Sequence, residues 1–421
     1  MKRTERRQTA TTNNGSLCVG HDLPPRRIPS GERRVGRSPN NWLPAVAAMV
    51  LFSALLLNGG WRPDAALALD GAAWGQVLAA GGQAREAARF EESERILTEA
   101  MAQARRDGSE DVFLAEASNE LGLVHHDQGR LDHAQSYYQQ ALSLWERMLG
   151  SEHEHVAAAL NNLAEVHRAG GSLDTAESLF RRASSIESRI LGAAHPDVAV
   201  GLNNLAELHR QQGRDAEAES LYRRALLILE QAYGPDHAEL APVLNNLAAL
   251  YKEQGLFSWA EPLYIRALAV RRARFGSSHP SVAVSLNNLG CLYQTQGLYE
   301  LARTYFQEAL SISEQILGPE ASLAGTILGN MAYLSDQQTL WHESQGLYER
   351  ALVIQQTRLG FQHPIVGQLL SRYALVLELL GRPVEAGLFA SRAASIRSRQ
   401  ASIPEPSDPF DQRTVMSPSL R

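Results

Sequence analysis

The chain has 421 residues, a net charge of −6 and 44% apolar residues, of which few are aromatic. Residues 1–41 hold nine Lys or Arg against three acids, so the rest of the chain is more acidic than the total suggests. Such a body lacks the broad positive field that a phosphate backbone needs, which argues against nucleic acid as a partner. The two cysteines, Cys18 and Cys291, are too few for a disulfide framework.

Residues 1–41 are rich in Arg, Pro, Gly, Asn and Ser with no apolar period, and read as a disordered basic leader. Trp42 to Leu57 then runs 16 residues without a charge. A membrane-spanning helix needs roughly 20 apolar residues, so this run is short for a stable span. The basic flank before it and Ala66-Leu67-Ala68 after it fit a secretory signal, whereas Pro44 and Gly59-Gly60 argue against a buried helix. The expectation is an exported protein, periplasmic or extracellular. Residues 42–68 are a signal cleaved after Ala68 or, alternatively, a signal anchor. Any membrane contact is then through residues 42–57 of an uncleaved signal. Cleavage would remove Cys18 and leave Cys291 as a single thiol.

Residues 69–118 read as an irregular helix pair. Its second helix is marked by Phe90-Glu91-Glu92-Ser93-Glu94-Arg95-Ile96-Leu97, and its first is weakened by Gly81-Gly82. From residue 119 a phrase recurs with a fixed period of 42: Asn161-Asn162-Leu163-Ala164, Asn203-Asn204-Leu205-Ala206, Asn245-Asn246-Leu247-Ala248 and Asn287-Asn288-Leu289-Gly290. Asn119-Glu120-Leu121-Gly122 precedes these copies, and Gly329-Asn330-Met331-Ala332 follows them. A fixed period of this size marks a stacked repeat array. Six such units fill 119–370, residues 371–400 form a capping unit, and 401–421 read as a disordered tail.

Within each unit a turn glycine (Gly129, Gly171, Gly213, Gly255, Gly297) separates two helices. It lapses to Thr339 and returns as Gly381. Downstream lie small residues at Ala134, Ala176, Ala218, Ala260 and Ala302, and again at Ala141, Ala183, Ala225, Ala267 and Ala309. An aromatic falls between them at Tyr138, Phe180, Tyr222, Tyr264, Phe306 and Tyr348. Small residues let helices approach and the ring fills the space beside them. Gly150, Gly192, Gly234, Gly276, Gly318 and Gly360 close the second helix. His195-Pro196, His279-Pro280 and His363-Pro364 mark where the next first helix begins. The spacing predicts antiparallel helices of about 17 and 19 residues.

These strings, and LNNLAALYKEQGLFSWAEPLYIRALAVRRARFGSSHPSVA from Leu244 in particular, resemble the tetratricopeptide repeat in the 42-residue form of kinesin light chains. The resemblance covers roughly Gly71 to Gln400. It implies an all-α fold, a right-handed α-solenoid of antiparallel helix pairs whose first helices line a concave, peptide-binding groove. The unit from Gly329 departs by losing one Asn and its turn glycine, and the last unit by losing the Asn pair.

On the first helices, Asn161, Glu165 and Arg168 share a face, as do Asn203, Glu207 and Arg210. The row continues as Asn245, Ala249 and Lys252, then Asn287, Cys291 and Gln294. By resemblance this is the groove-lining stripe, and Asn161, Arg168, Asn203, Arg210, Asn245, Lys252 and Asn287 are the candidate peptide-binding residues. Asparagine offers both a donor and an acceptor to a peptide amide. Glu165, Glu207 and Glu253 offset the basic charge, so selectivity for acidic peptides is weakly supported. The alternative is that the asparagines bridge neighbouring helices and bind nothing, the second of each pair lying nearer the helix interface.

No metal, cofactor or catalytic residue is expected. His125, His167 and His209 share a column with Tyr251 and Tyr293, as at a packing position that accepts a flat ring. The loop histidines occur once per unit, and units stand at least one helix-packing distance apart, about 8–10 Å, against zinc–ligand distances of about 2 Å. Cys291 has no histidine beside it in its unit, and no glycine-rich loop follows a strand. The expected function is a non-catalytic scaffold binding a peptide or helix of a protein partner in the groove. The alternative is an assembly spacer acting through the convex face or the ends.

Overall fold

The computed structural model describes residues 71–107 and 111–400. The expected basic leader, the apolar run with the expected cleavage after Ala68, and the expected carboxy-terminal tail lie outside the described residues. Sixteen α-helices follow one another in pairs: α1 Gly71–Glu86 with α2 Phe90–Asp107, α3 Asp111–Asp127 with α4 Leu131–Leu149, α5 Glu154–Ala169 with α6 Leu173–Leu191, and α7 Pro196–Gln211 with α8 Asp215–Tyr233. After a single 3₁₀ turn at Ala238–Leu240 come α9 Ala241–Glu253 with α10 Phe257–Phe275, α11 Pro280–Thr295 with α12 Tyr299–Leu317, α13 Ser322–Gln337 with α14 Trp341–Leu359, and α15 Pro364–Leu379 with α16 Pro383–Gln400. The asparagine phrase falls inside the first helices: α7 begins at Pro196, about two turns before Asn203.

Each pair forms for a local reason. The turn between its helices needs a left-handed residue, and Gly213 supplies one at φ +72°. Thr339 occupies the same turn at φ +60°, a conformation costly for a β-branched side chain. The small-residue columns then decide how near the two helices come. Ala134, Ala176, Ala218, Ala260 and Ala302 are wholly buried, as are Ala141, Ala183, Ala225, Ala267 and Ala309, with Tyr138, Phe180, Tyr222, Tyr264 and Phe306 between them. At Gly81 a Cβ would lie 2.8 Å from the Leu97 side chain, so α2 packs against α1 where this glycine leaves room.

The starts of α5, α7, α11 and α15, and of the 3₁₀ turn before α9, are capped by loop histidines, a role the periodicity alone did not reveal. His153, His195, His237, His279 and His363 have extended backbones at the N-cap. Each accepts a backbone N–H two residues on through Nδ1, at 3.2 Å in His195 and 3.3 Å in His237. Imidazole here does what Asp or Asn does at other helix starts, satisfying one of the unpaired amides of the first turn. Phe275 stacks on His279 with ring centroids 4.5 Å apart.

Pairs stack on pairs through three ladders. The first helices α7, α9, α11, α13 and α15 approach one another backbone to backbone. The second helices are joined across units by long ion pairs such as Arg182–Glu146, Arg266–Glu230 and Arg350–Glu314, each spanning 36 residues. Exposed pairs contribute only about 0–1 kcal/mol each, so this ladder sets register more than stability. Because the first helices stand closer together than the second, the array curves with its first helices on the inside.

Candidate functional site

The inner face is built on the asparagine phrase. Asn161, Asn203, Asn245 and Asn287 are no more than 4% exposed. Asn246 donates its side-chain amide to Asn203 Oδ1 at 3.0 Å, Asn330 to Asn287 at 2.9 Å, and Asn162 to Asn119 at 3.0 Å. Asn161 instead donates to Glu187 on its own second helix, at 3.0 Å. The bridging role, which the residue pattern left open beside partner binding, is therefore filled at Asn119, Asn203 and Asn287. These side chains form the floor of the concave face.

The charged candidates stand about two turns further along. Arg168 donates to Glu165 from Nε at 2.9 Å and from Nη2 at 2.7 Å. Arg210 is bidentate on Glu207, at 2.9 and 2.6 Å, and reaches Glu253 in the next unit. Burial opposes the charge on Arg210, but the Glu207 and Glu253 carboxylates raise its pKa well above the usual value. Tyr222, from the second helix, donates to Glu207 at 3.0 Å and holds that carboxylate in place. Lys252 is 7% exposed, and burial lowers its ammonium to about 8. The row is thus largely self-neutralised, in keeping with weak selectivity for acidic partners.

Continuing the Glu165, Glu207, Ala249, Cys291 column by the same period reaches Tyr333 and Leu375. Their part in the face was missed because the asparagine phrase decays in those units. Arg372 lies over the Tyr333 ring, 4.0 Å from its centroid, and Leu375 and Leu379 are 56% and 59% exposed. The inner face therefore grades from ion pairs in the middle units to aromatic and apolar surface at α13 and α15. Cys291 is buried and takes part in a disulfide.

The His/Tyr column is a third ladder. His125 packs flat on Tyr137, with ring centroids 5.2 Å apart and planes 5° apart. Tyr251 and Tyr293 carry their hydroxyls to Glu219 and Glu261 of the preceding second helix, at 2.8 and 2.7 Å, and His209 Nε2 lies 3.4 Å from Glu177 in the same way. Glu177 also takes Arg181 and Arg214, and although burial opposes it, these partners hold its carboxyl at about 2. Among the described residues no group of three or more His, Cys, Asp or Glu is placed to hold a metal ion, and no helix is long and apolar enough to cross a membrane.

Comparison with known proteins agrees with this architecture. The tetratricopeptide repeat family matches residues 73–147, 113–187, 155–226, 197–261 and 260–315. No curated protein matches the chain. Among solved structures, BtubC (BKLC) from P. vanneervenii is 23% identical, over 61% of this chain and 97% of that one, with a TM-score of 0.43. A kinesin light chain of nearly identical repeats from Podosopora anserina is 23% identical over 47% of this chain and 94% of that one, with a TM-score of 0.39. The quorum sensor NprR from B. thuringiensis, in its apo form, is 13% identical over 84% of this chain and 94% of that one, with a TM-score of 0.53. The fold is shared with NprR, and it is one that typically serves protein or peptide binding rather than catalysis. With its helix pairs repeating every 42 residues and the family matching more than half its length, the chain belongs to the tetratricopeptide repeat family.

Proposed function

We propose that this protein is a non-catalytic scaffold that holds a peptide or helix of a partner protein along the concave face, from residues 119–300 onward to the apolar surface of α15. The observation that carries the reading is the graded inner face. Arg168, Arg210 and Lys252 stand in register on consecutive first helices, above a floor of buried amides, and lead to exposed Leu375 and Leu379. An extended segment with a polar stretch and an apolar end matches that sequence of surfaces, since hydrogen bonds fix orientation and apolar anchors supply affinity. The NprR fold is that of a quorum sensor, which supports ligand capture by such an array. The same proposal has the protein exported or tethered at the membrane, a reading supported by the basic leader and the charge-free run Trp42–Leu57.

The test is capture of partners by the full-length chain, followed by mass spectrometry, set against a variant with Arg168, Arg210 and Lys252 all replaced by Ala. Partners lost with this variant, and retained by an Arg182→Ala/Arg266→Ala variant of the convex ladder, support the groove. The reverse pattern supports the spacer reading instead. That reading has its own observation, the exposure of Val384 (80%) and Leu388 (69%) one turn apart on the terminal helix.

A further inference from the structure

The turn between α3 and α4 meets the start of α15, more than five repeats away in the chain. A Cβ at Gly129 would lie 3.0 Å from His363 Cδ2, 3.0 Å from Pro364 Cδ and 3.3 Å from His363 Cα. Most turn glycines of the same conformation stand in open space: Gly171, Gly213, Gly255, Gly297 and Gly381 have nothing within 4 Å of that position. The contact at Gly129 is therefore tertiary and is not a property of the turn.

The surroundings of the two segments agree. His126 and Asp127, just before Gly129, both act electrostatically on His363, and the His363 imidazole is held down at about 4, chiefly by burial. Asp127 is tied from behind by Arg85 of α1 at 2.5 Å, and Arg85 is only 8% exposed. The first helix pair, the turn of the second pair and the leading loop of the last pair thus come together at one place.

Topology says what kind of contact this is. Gly129 lies in a turn from a first to a second helix, whereas His363 lies in a loop from a second to a first helix. These two kinds of connection run along opposite edges of the ribbon of stacked pairs. Edges of opposite kind meet only when the superhelix has completed a turn and its next coil settles on the first.

We propose that the array is latched into a closed coil by the seating of His363-Pro364 on the Gly129 turn, which makes the concave face the wall of a channel. A side chain at 129 would press on the proline ring and on His363, which would have to give way, and the more so the longer the side chain. The latch joins surfaces through few residues, so its opening is a local event that leaves each helix pair intact. The consequence for a partner rests on the groove reading above: a slender, extended segment can lie in a closed channel, and a folded domain requires the latch to open. The latch itself stands or falls independently of that reading.

Small-angle X-ray scattering of the full chain tests it. Gly129→Gln should increase the radius of gyration, whereas Gly213→Gln, strained by the same left-handed backbone but facing open space, should not. Equal profiles for the two variants and the parent would overturn the latch. A second measurement does not depend on the stability of those variants. In a Cys18→Ser/Cys291→Ser background, the pair Gly129→Cys/His363→Cys should oxidise to an intramolecular crosslink, because a Cβ at 129 would stand 3.3 Å from the Cα of residue 363, which brings the two side chains within reach of a disulfide. The pair Gly213→Cys/His363→Cys should remain reduced. Failure of the first pair to crosslink within the monomer would refute the proposal.

Discussion

Asn246 donates its side-chain amide to Oδ1 of Asn203 at 3.0 Å, and both side chains are almost wholly removed from water. A buried amide without a partner costs about 1–3 kcal/mol, so each bond of this ladder penalises any slip of one first helix past the next. Hydrophobic columns of alanine and leucine tolerate small shifts; a paired amide does not. The ladder therefore gives the stack its register, and the curvature of the inner face follows from it.

Replacing Asn246 with Ala leaves the Asn203 carbonyl buried without its donor. The expected loss is about 1–3 kcal/mol of unfolding free energy, read from the urea midpoint with an unchanged slope. Asn246→Ala with Asn203→Ala should cost less than the two single losses added together, since removing both partners leaves no orphan. Additive losses would show that the pair is not coupled.

Most of this fold was legible in the residues because a stack repeats its constraints. Gly213, Ala218, Tyr222 and Ala225 each do one geometric task, and a period of 42 displays it several times over. The pair boundary was legible in His195-Pro196, where α7 begins, but the capping bond of the imidazole was not, and the conspicuous asparagines mark the middle of the helix. The task of the asparagines was not legible either, because Asn serves an inter-helix bond and a peptide bond with the same atoms. Nor could the pattern reach the meeting of Gly129 with His363, which depends on curvature summed over many units and has no local signature.

Ala218 lies in the core that α8 shares with Leu202 and Ala206 of α7, and is wholly buried. Ala218→Leu adds three carbons where the neighbouring helix leaves no room, and should destabilise the protein by about 1–3 kcal/mol. The same substitution at an exposed site of α8, such as Ala216→Leu, should change stability by less than about 0.5 kcal/mol. Thermal melts of the two variants decide the matter, and equal melting temperatures would mean that the small-residue column is not tightly packed.

Thr339 sits at φ +60° in the turn where the other regular units have glycine. A left-handed backbone costs an L-residue about 1–2 kcal/mol, and glycine gives back part of that gain through its freer unfolded chain. Thr339→Gly should therefore raise stability by about 0.5–1 kcal/mol, seen as a higher melting temperature. Thr339→Val, which keeps the branch and the strain, should bring no such rise.

Acid should weaken the array in a definite window. Burial, the largest cause in each case, lowers the pKa of His125 and His363 from 6.5 to about 4, and that of His209 in the same direction. Above pH 6.5 these imidazoles are neutral in both the folded and the unfolded chain and cost nothing. As pH falls below 6.5 the unfolded chain takes up protons that the folded protein refuses until about 4, so stability is lost across that interval. The Glu177 carboxyl, lowered to about 2, withdraws its contribution only at lower pH and does not confuse the reading. A shift the size of that at His125 corresponds to about 2 kcal/mol between roughly pH 7 and pH 5. His125→Tyr puts into this column the ring that Tyr251 and Tyr293 already use, and tyrosine does not titrate in the window. Urea melts of this variant should show a shallower pH dependence than those of the parent protein, by about 1–2 kcal/mol over the same range; an unaltered dependence would show that His125 carries no proton-linked stability.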